Sequence, residues 1–123
     1  MGGHGNVRHI VSALVAALDR RGLDGRAAAP WYFPTPDEYR ALLEARAFKI
    51  ATIELIPRPT PLPGDIVGWL ETFAENFTRR VTPAERPVLL NDVAAALRPA
   101  LCDAEGRWTA DYVRLRFAAV KPA

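Results

Sequence analysis

Six side chains have the types and spacing to hold a small molecule. Trp31, Tyr32 and Phe33 follow one another between Pro30 and Pro34, an aromatic loop of the kind that lines a pocket or packs in a core. Trp69 and Phe73 are four residues apart, so a helix puts both rings on one face, where plain core packing is the simpler assignment. Arg58 stands between Pro57 and Pro59. Its guanidinium can pair bidentately with a carboxylate, against the plainer reading of a solvated arginine. The ionisable residues are less informative. His4 and His9 could each serve as a base, but no carboxylate stands at a fixed spacing from either, and a solvated histidine is the simpler assignment. Cys102 is the single cysteine and has no nearby histidine to activate it. Two histidines and one cysteine do not supply a dedicated zinc site. No catalytic residue and no metal ligand is assigned.

These residues must be positioned by a chain of 123 residues, room for one small domain. Half of the residues are apolar and 24% are charged, the composition of a globular protein. The net charge of +2 is too small for a strong sequence-independent grip on nucleic acid, which needs many phosphate contacts. Arg20-Arg21 and Arg79-Arg80 each close a helical pattern, where cations meet the negative end of the helix dipole. No apolar stretch reaches the roughly 20 residues of a membrane span. The N-terminus is glycine-rich rather than basic and then apolar, unlike a secretory signal. The single cysteine excludes an internal disulfide. A cytoplasmic chain without membrane or nucleic-acid partners is expected.

Hydrophobic periodicity sets out the elements. Val7, Ile10, Val11, Leu14, Val15 and Leu18 fall on one helical face, with Asn6 as the expected N-cap and Gly22 as the terminator. Thr35-Pro36-Asp37-Glu38 is a capping box with proline at the first helical position. It opens a second helix to about Arg46, with Tyr39, Leu42 and Leu43 inward. Phe48–Ile56 reads as a strand with apolar residues on both faces, so it is expected to be covered on two sides. The alternating Pro57, Pro59, Pro61 and Pro63 read as a stiff connector, with a polyproline recognition segment as the alternative. Gly64-Asp65 starts a third helix with Ile66, Trp69, Leu70, Phe73 and Phe77 on one face. Thr82-Pro83-Ala84-Glu85 starts a fourth, in which Pro87 suits the first turn and Pro99 marks the end. Trp108–Val120 is a second strand. The expected fold class is α+β, with four helices and two antiparallel strands, and two strands seldom make a stable sheet alone.

The order of motifs resembles the C-terminal half of class I S-adenosylmethionine-dependent methyltransferases, in the trans-aconitate methyltransferase-like branch. The matching text is Gly2-Gly3-His4-Gly5-Asn6, then Trp31-Tyr32-Phe33-Pro34-Thr35-Pro36-Asp37-Glu38-Tyr39, then Leu42-Leu43-Glu44-Ala45 leading to Phe48. It continues through Arg58-Pro59-Thr60-Pro61-Leu62 and Gly68-Trp69-Leu70-Glu71-Thr72-Phe73. Asp111-Tyr112-Val113-Arg114-Leu115-Arg116-Phe117 and Lys121-Pro122 close the series. Ala47 departs from it, standing where such enzymes carry the glycine of a turn before the strand, so that turn is expected to be strained or differently shaped.

The resemblance implies that residues 1–123 form a single partial domain of a Rossmann-like fold, with residues about 64–101 as a helical cap over the substrate cavity. The two strands would then be the sixth and seventh of a seven-stranded sheet. The resemblance also implies S-adenosylmethionine as cofactor of the complete enzyme and a small acceptor such as a carboxylic acid. Trp31, Tyr32, Phe33, Arg58, Trp69 and Phe73 are the substrate-binding candidates. The family's cofactor machinery precedes the matching region, so this chain alone is expected to bind no cofactor and to be inactive. Gly2-Gly3-His4-Gly5 does not replace it, because a cofactor loop follows a strand that brings its backbone to the ligand. An unpaired edge on the strand at 108–120 would recruit a partner. Self-association or an N-terminal methyltransferase half is expected there, whether the chain is a fragment or a separate gene product. Two alternatives come from other classes: a non-catalytic module that completes or regulates a partner methyltransferase, and a small nucleic-acid-binding domain resting on pI and arginine count alone.

Overall fold

The structure, a computed structural model, describes residues 1–122. Helix α1 (Arg8–Asp19) buries Ile10, Leu14, Ala17 and Leu18, the apolar stripe expected from the sequence. It ends where Gly22 takes a φ of 75° and the Leu23 N–H reaches back to the Leu18 carbonyl at 3.0 Å. Glycine adopts that left-handed conformation without steric cost. The start of α1 differs from expectation. Asn6 does not cap it; Val7 is the N-cap, left-handed at φ 47°, with no side-chain cap bond. A short helix absent from the sequence reading follows, α2 (Gly25–Ala28), capped by Asp24 accepting the Ala27 N–H at 3.2 Å.

Helix α3 (Pro36–Ala45) begins as the capping box requires, with both reciprocal bonds between Thr35 and Glu38 present at 3.2 Å. Its expected inward face is only partly covered: Tyr39 packs on Phe117 with ring centroids 5.0 Å apart and, like Leu43, is half-buried, but none of the helix's residues is fully buried and Leu42 is 51% exposed. Ala47 closes the helix at φ 66°, the left-handed position where a glycine would be unstrained.

Strand β1 (Lys49–Pro61) continues past the expected end at Ile56 and takes Pro57, Pro59 and Pro61 into the strand instead of a connector. The reason is period two. Leu62 donates its N–H to the Trp108 carbonyl at 2.9 Å, so the amides of Thr60 and Arg58, two and four residues earlier, also turn toward β2. The intervening prolines then face the outer edge, where no N–H is needed, since among the described residues β2 is the one strand beside β1.

The expected third helix is two: α4 (Ile66–Phe73), capped by Asp65 accepting the Gly68 N–H at 3.2 Å, and α5 (Glu75–Thr78). The break is at Ala74, and with it Phe77 is fully buried while Phe73 stays 54% exposed. Helix α6 (Arg86–Leu101) starts after the Thr82–Glu85 turn and buries Leu89, Leu90, Val93, Leu97 and Leu101. Pro99 does not end it but lies inside its last turn, where the carbonyl it deprives of a donor belongs to the exposed Ala95. The Asp103–Arg107 turn leads into β2 (Thr109–Val120), which pairs with β1 in an antiparallel two-stranded sheet. The fold is therefore α+β with two strands, as expected, but with six helices among the described residues rather than four. Among the described residues no helix is long and apolar enough to cross a membrane.

The chain divides into two compact units. The helical unit comprises Val7–Trp31 and Thr60–Ala110; the sheet unit comprises Met1–Asn6, Tyr32–Pro59 and the stretch from Asp111 onward. In the helical unit α1 packs on α6 and α2, and α4 on α6 and α5, around Ile10, Leu14, Leu70, Phe77, Leu89 and Val93. In the sheet unit Leu115 and Pro34 are the buried side chains.

Candidate functional site

Three of the six candidates meet in the helical unit. Trp31 lies 6.4 Å from Trp69 between ring centroids, at an interplanar angle of 54°. Trp69 lies 5.0 Å from Phe73 at 49°, as the i, i+4 spacing on α4 demands. Trp31 also packs on Phe77, 5.9 Å away at 31°. All are the tilted geometries that aromatic quadrupoles favour. The cluster is graded: Phe77 is buried, Trp31 and Trp69 are half-buried, and Phe73 is exposed. The outer rings can take the apolar or planar part of a small molecule, and the inner one holds them in place.

Tyr32, Phe33 and Arg58 belong to the sheet unit. Tyr32 is 58% exposed and donates its hydroxyl to Glu38 Oε2 at 3.3 Å. Desolvation, and then the charge of Glu38, raise the Tyr32 phenol above its ordinary pKa. Glu38 moves the other way. The Thr35 N–H, followed by the Thr35 hydroxyl bond, holds its carboxyl below the usual range. Phe33 packs beside the N-terminal segment, since a Cβ on Gly2 would stand 2.8 Å from its Cε1. Arg58 is exposed on β1.

The glycine-rich opening is a packed joint rather than a ligand cradle. A Cβ on Gly3 would stand 2.5 Å from Leu55 Cδ2 and 3.0 Å from Leu115 Cβ, so side chains occupy the space a cofactor would need. Asn6 accepts the Val113 N–H at 2.7 Å, a role the sequence reading missed by assigning it to the α1 cap. Among the described residues no group of three or more His, Cys, Asp or Glu side chains could hold a metal ion.

Sequence reasoning also missed a cavity of about 280 Å³ in the helical unit, lined by Asp65, Asn91, Ala94, Ala95, Arg98 and Trp108 among others. The Arg98 guanidinium lies 5.3 Å above the Trp108 ring, a cation–π contact at the cavity wall. Its signal was the spacing of Asn91, Ala94, Ala95 and Arg98, a stripe along α6 with two small residues at its centre.

No protein-family profile matches the chain. It is 35% identical over 123 residues to the uncharacterized methyltransferase C70.08c of Schizosaccharomyces pombe (strain 972 / ATCC 24843), an alignment covering 98% of this chain. The same alignment covers 47% of that protein, so the chain spans about half the length of the curated relative it matches. Along almost its whole length, then, this chain is similar to part of a methyltransferase.

Proposed function

We propose that the chain forms the C-terminal, substrate-side portion of a class I S-adenosylmethionine-dependent methyltransferase, trans-aconitate methyltransferase-like, acting on a small acceptor such as a carboxylic acid. One observation carries this: a full-length likeness to a methyltransferase about twice as long. The sheet unit agrees with it, because the large apolar side chains of Leu42, Phe117 and Val120 stay exposed there. The cofactor, which supplies the methyl group, is assigned to the remaining portion, and the isolated chain is inactive. The partner that completes the enzyme joins the sheet unit.

Methyl transfer to a carboxylate asks mainly for alignment and exclusion of water. Trp31, Trp69 and Phe73 accordingly hold the acceptor by its apolar part. In the sheet unit Tyr32, Phe33 and Arg58 are proposed as substrate-binding residues, Arg58 as an anchor for a carboxylate.

The test is calorimetry with S-adenosylmethionine, run on the 123 residues and on the complete enzyme. The complete enzyme binds and transfers methyl to small carboxylic acids, and the shorter chain gives no heat of binding. Tight binding by the shorter chain overturns the assignment. In the complete enzyme Phe73→Ala, at an exposed ring, raises KM about tenfold with kcat nearly unchanged, the loss of one aromatic contact.

A further inference from the structure

Two opposite charges line the cavity of the helical unit without neutralising each other. Asp65 stands at the head of α4 and Arg98 in the last turn of α6, and both border the same space of about 280 Å³. Among the described residues no ion pair joins them, and neither pairs with another charge. Each is held in place by other means. Asp65 spends Oδ1 on the Gly68 N–H at 3.2 Å, the cap of α4, which leaves Oδ2 for another donor. The Arg98 guanidinium lies 5.3 Å above the ring of Trp108, a side chain only 5% exposed and therefore a fixed platform. Stacking uses the face of a guanidinium and leaves the N–H donors around its rim. One of these reaches Cys102 Sγ, a weak acceptor, at 3.6 Å, and the others await a stronger one. Asn91 stands seven residues before Arg98 on α6, so its amide shares the same face. Val67 and Ala94 supply apolar wall between the charges.

We propose that this cavity binds a small zwitterion, an α-amino acid with an apolar side chain. Its carboxylate pairs with the rim of Arg98, its ammonium donates to Asp65 Oδ2, and its side chain lies on Val67 and Ala94. Complementarity selects this class of ligand. A purely anionic molecule is repelled by the Asp65 carboxylate, and a purely cationic one by Arg98. Only a ligand that carries both signs satisfies both walls. The planar fork of Arg98 matches a carboxylate in geometry as well as charge. The volume lies at the lower end of the range for small-molecule sites, so the ligand is small. The cavity shares no lining residue with the aromatic cluster of Trp31, Trp69, Phe73 and Phe77, and no part of the proposed methyl transfer uses it. It is a second site, and it stands whether or not the methyltransferase reading does.

The test follows the Trp108 indole N–H of the 123-residue chain by nuclear magnetic resonance while L-leucine is added. The resonance shifts saturably. Isocaproate, which is leucine without its ammonium, and isoamylamine, which is leucine without its carboxylate, each bind about tenfold more weakly or worse, the loss of one charge-assisted bond. Two variants read the same charges from the protein side. Asp65→Asn keeps the cap of α4, since asparagine caps as well as aspartate, and removes only the charge. It weakens leucine about tenfold and does not weaken isocaproate. Arg98→Gln weakens leucine likewise and does not weaken isoamylamine. Both positions are exposed, so the variants keep the fold, and a thermal melt checks this. Absence of a saturable shift with leucine overturns the proposal. So does binding of either singly charged analogue as tight as that of leucine, which makes the cavity a plain anion or cation site. Leucine binding indifferent to both substitutions overturns it as well. Cofactor calorimetry on the complete enzyme reads the methyltransferase assignment separately, so either can fail while the other stands.

Discussion

The two units are built by one chain with the same apolar vocabulary, yet only one closes a core. In the helical unit, stripes from α1, α4 and α6 face one another, and Ile10, Leu14, Leu70, Phe77 and Val93 are wholly buried. In the sheet unit, α3 buries nothing, Phe117 is 38% exposed and Val120 63%. Local structure is complete in both: the capping box of α3 is as well formed as any cap in the helical unit. What differs is partners. A helix can satisfy its ends from its own residues, but its apolar stripe needs another surface, and tertiary burial supplies most of its stability.

Truncation tests this contrast most severely. Phe77→Ala removes a fully buried ring from the helical unit and should cost about 3–5 kcal/mol, as measured by chemical denaturation. Leu42→Ala in the sheet unit should change stability by no more than about 0.5 kcal/mol, as exposed substitutions do. In the complete enzyme the proposed cover makes the same Leu42→Ala cost about 2 kcal/mol or more. Equal costs for Leu42→Ala in the short and complete proteins would break the comparison.

The joint of the sheet unit gives a smaller effect. Gly3→Ala drives a methyl into Leu55 and into the backbone nitrogen of Leu115, 3.1 Å away, and should destabilise that unit by about 1–3 kcal/mol. Gly5→Ala meets no atom within 4 Å and acts only through its φ of 83°, costing about 1 kcal/mol. Exchange at the Val113 and Leu115 amides separates the two variants, because only the Gly3 change disturbs the segment that bonds them, through Asn6 and Met1. Ala47→Gly has the opposite sign. It relieves a left-handed alanine, and after the extra chain entropy of glycine it should stabilise α3 by about 1 kcal/mol in a melt.

Much of this was legible in the residues, and the failures share a cause. The stripe of α1, the Gly22 stop, the α3 box and the turn at Ala47 all follow from local rules. Three errors came from applying a local rule without its neighbour. Pro57, Pro59 and Pro61 look like strand breakers until β1 is seen to be an edge. Pro99 looks like a terminator until the donor it removes is seen to serve an exposed carbonyl. Asn6 looks like a cap until Val113 offers an amide across the sheet unit. Of the site, spacing found Trp69 with Phe73, and the fold added Trp31. The groove beside Arg98 depends on α4 packing on α6, which no single segment encodes.

Acid should separate the units by the smallest margin, through one carboxylate in each. Glu38 is held below its ordinary pKa by the Thr35 N–H, and Asp103 by the Arg107 N–H. A group whose pKa is lower folded than unfolded stabilises the fold above its unfolded pKa, and that contribution is lost as pH falls through the folded value. Both residues are exposed, so each effect is local. In the helical unit, protonating Asp103 frees the 103–107 turn, but Leu97, Leu101 and Trp108 on either side stay buried and hold their segments. In the sheet unit, protonating Glu38 weakens the box at the head of a helix with no buried residue, so α3 frays first. Amide shifts followed from neutral to acid pH should therefore show 36–45 losing helical character before 86–101 changes. Thr35→Ala, which removes the reciprocal hydroxyl bond, should bring the fraying up toward neutral pH. Simultaneous loss of both helices on acidification would mean that the two units unfold as one, and the contrast in burial would then carry no difference in stability.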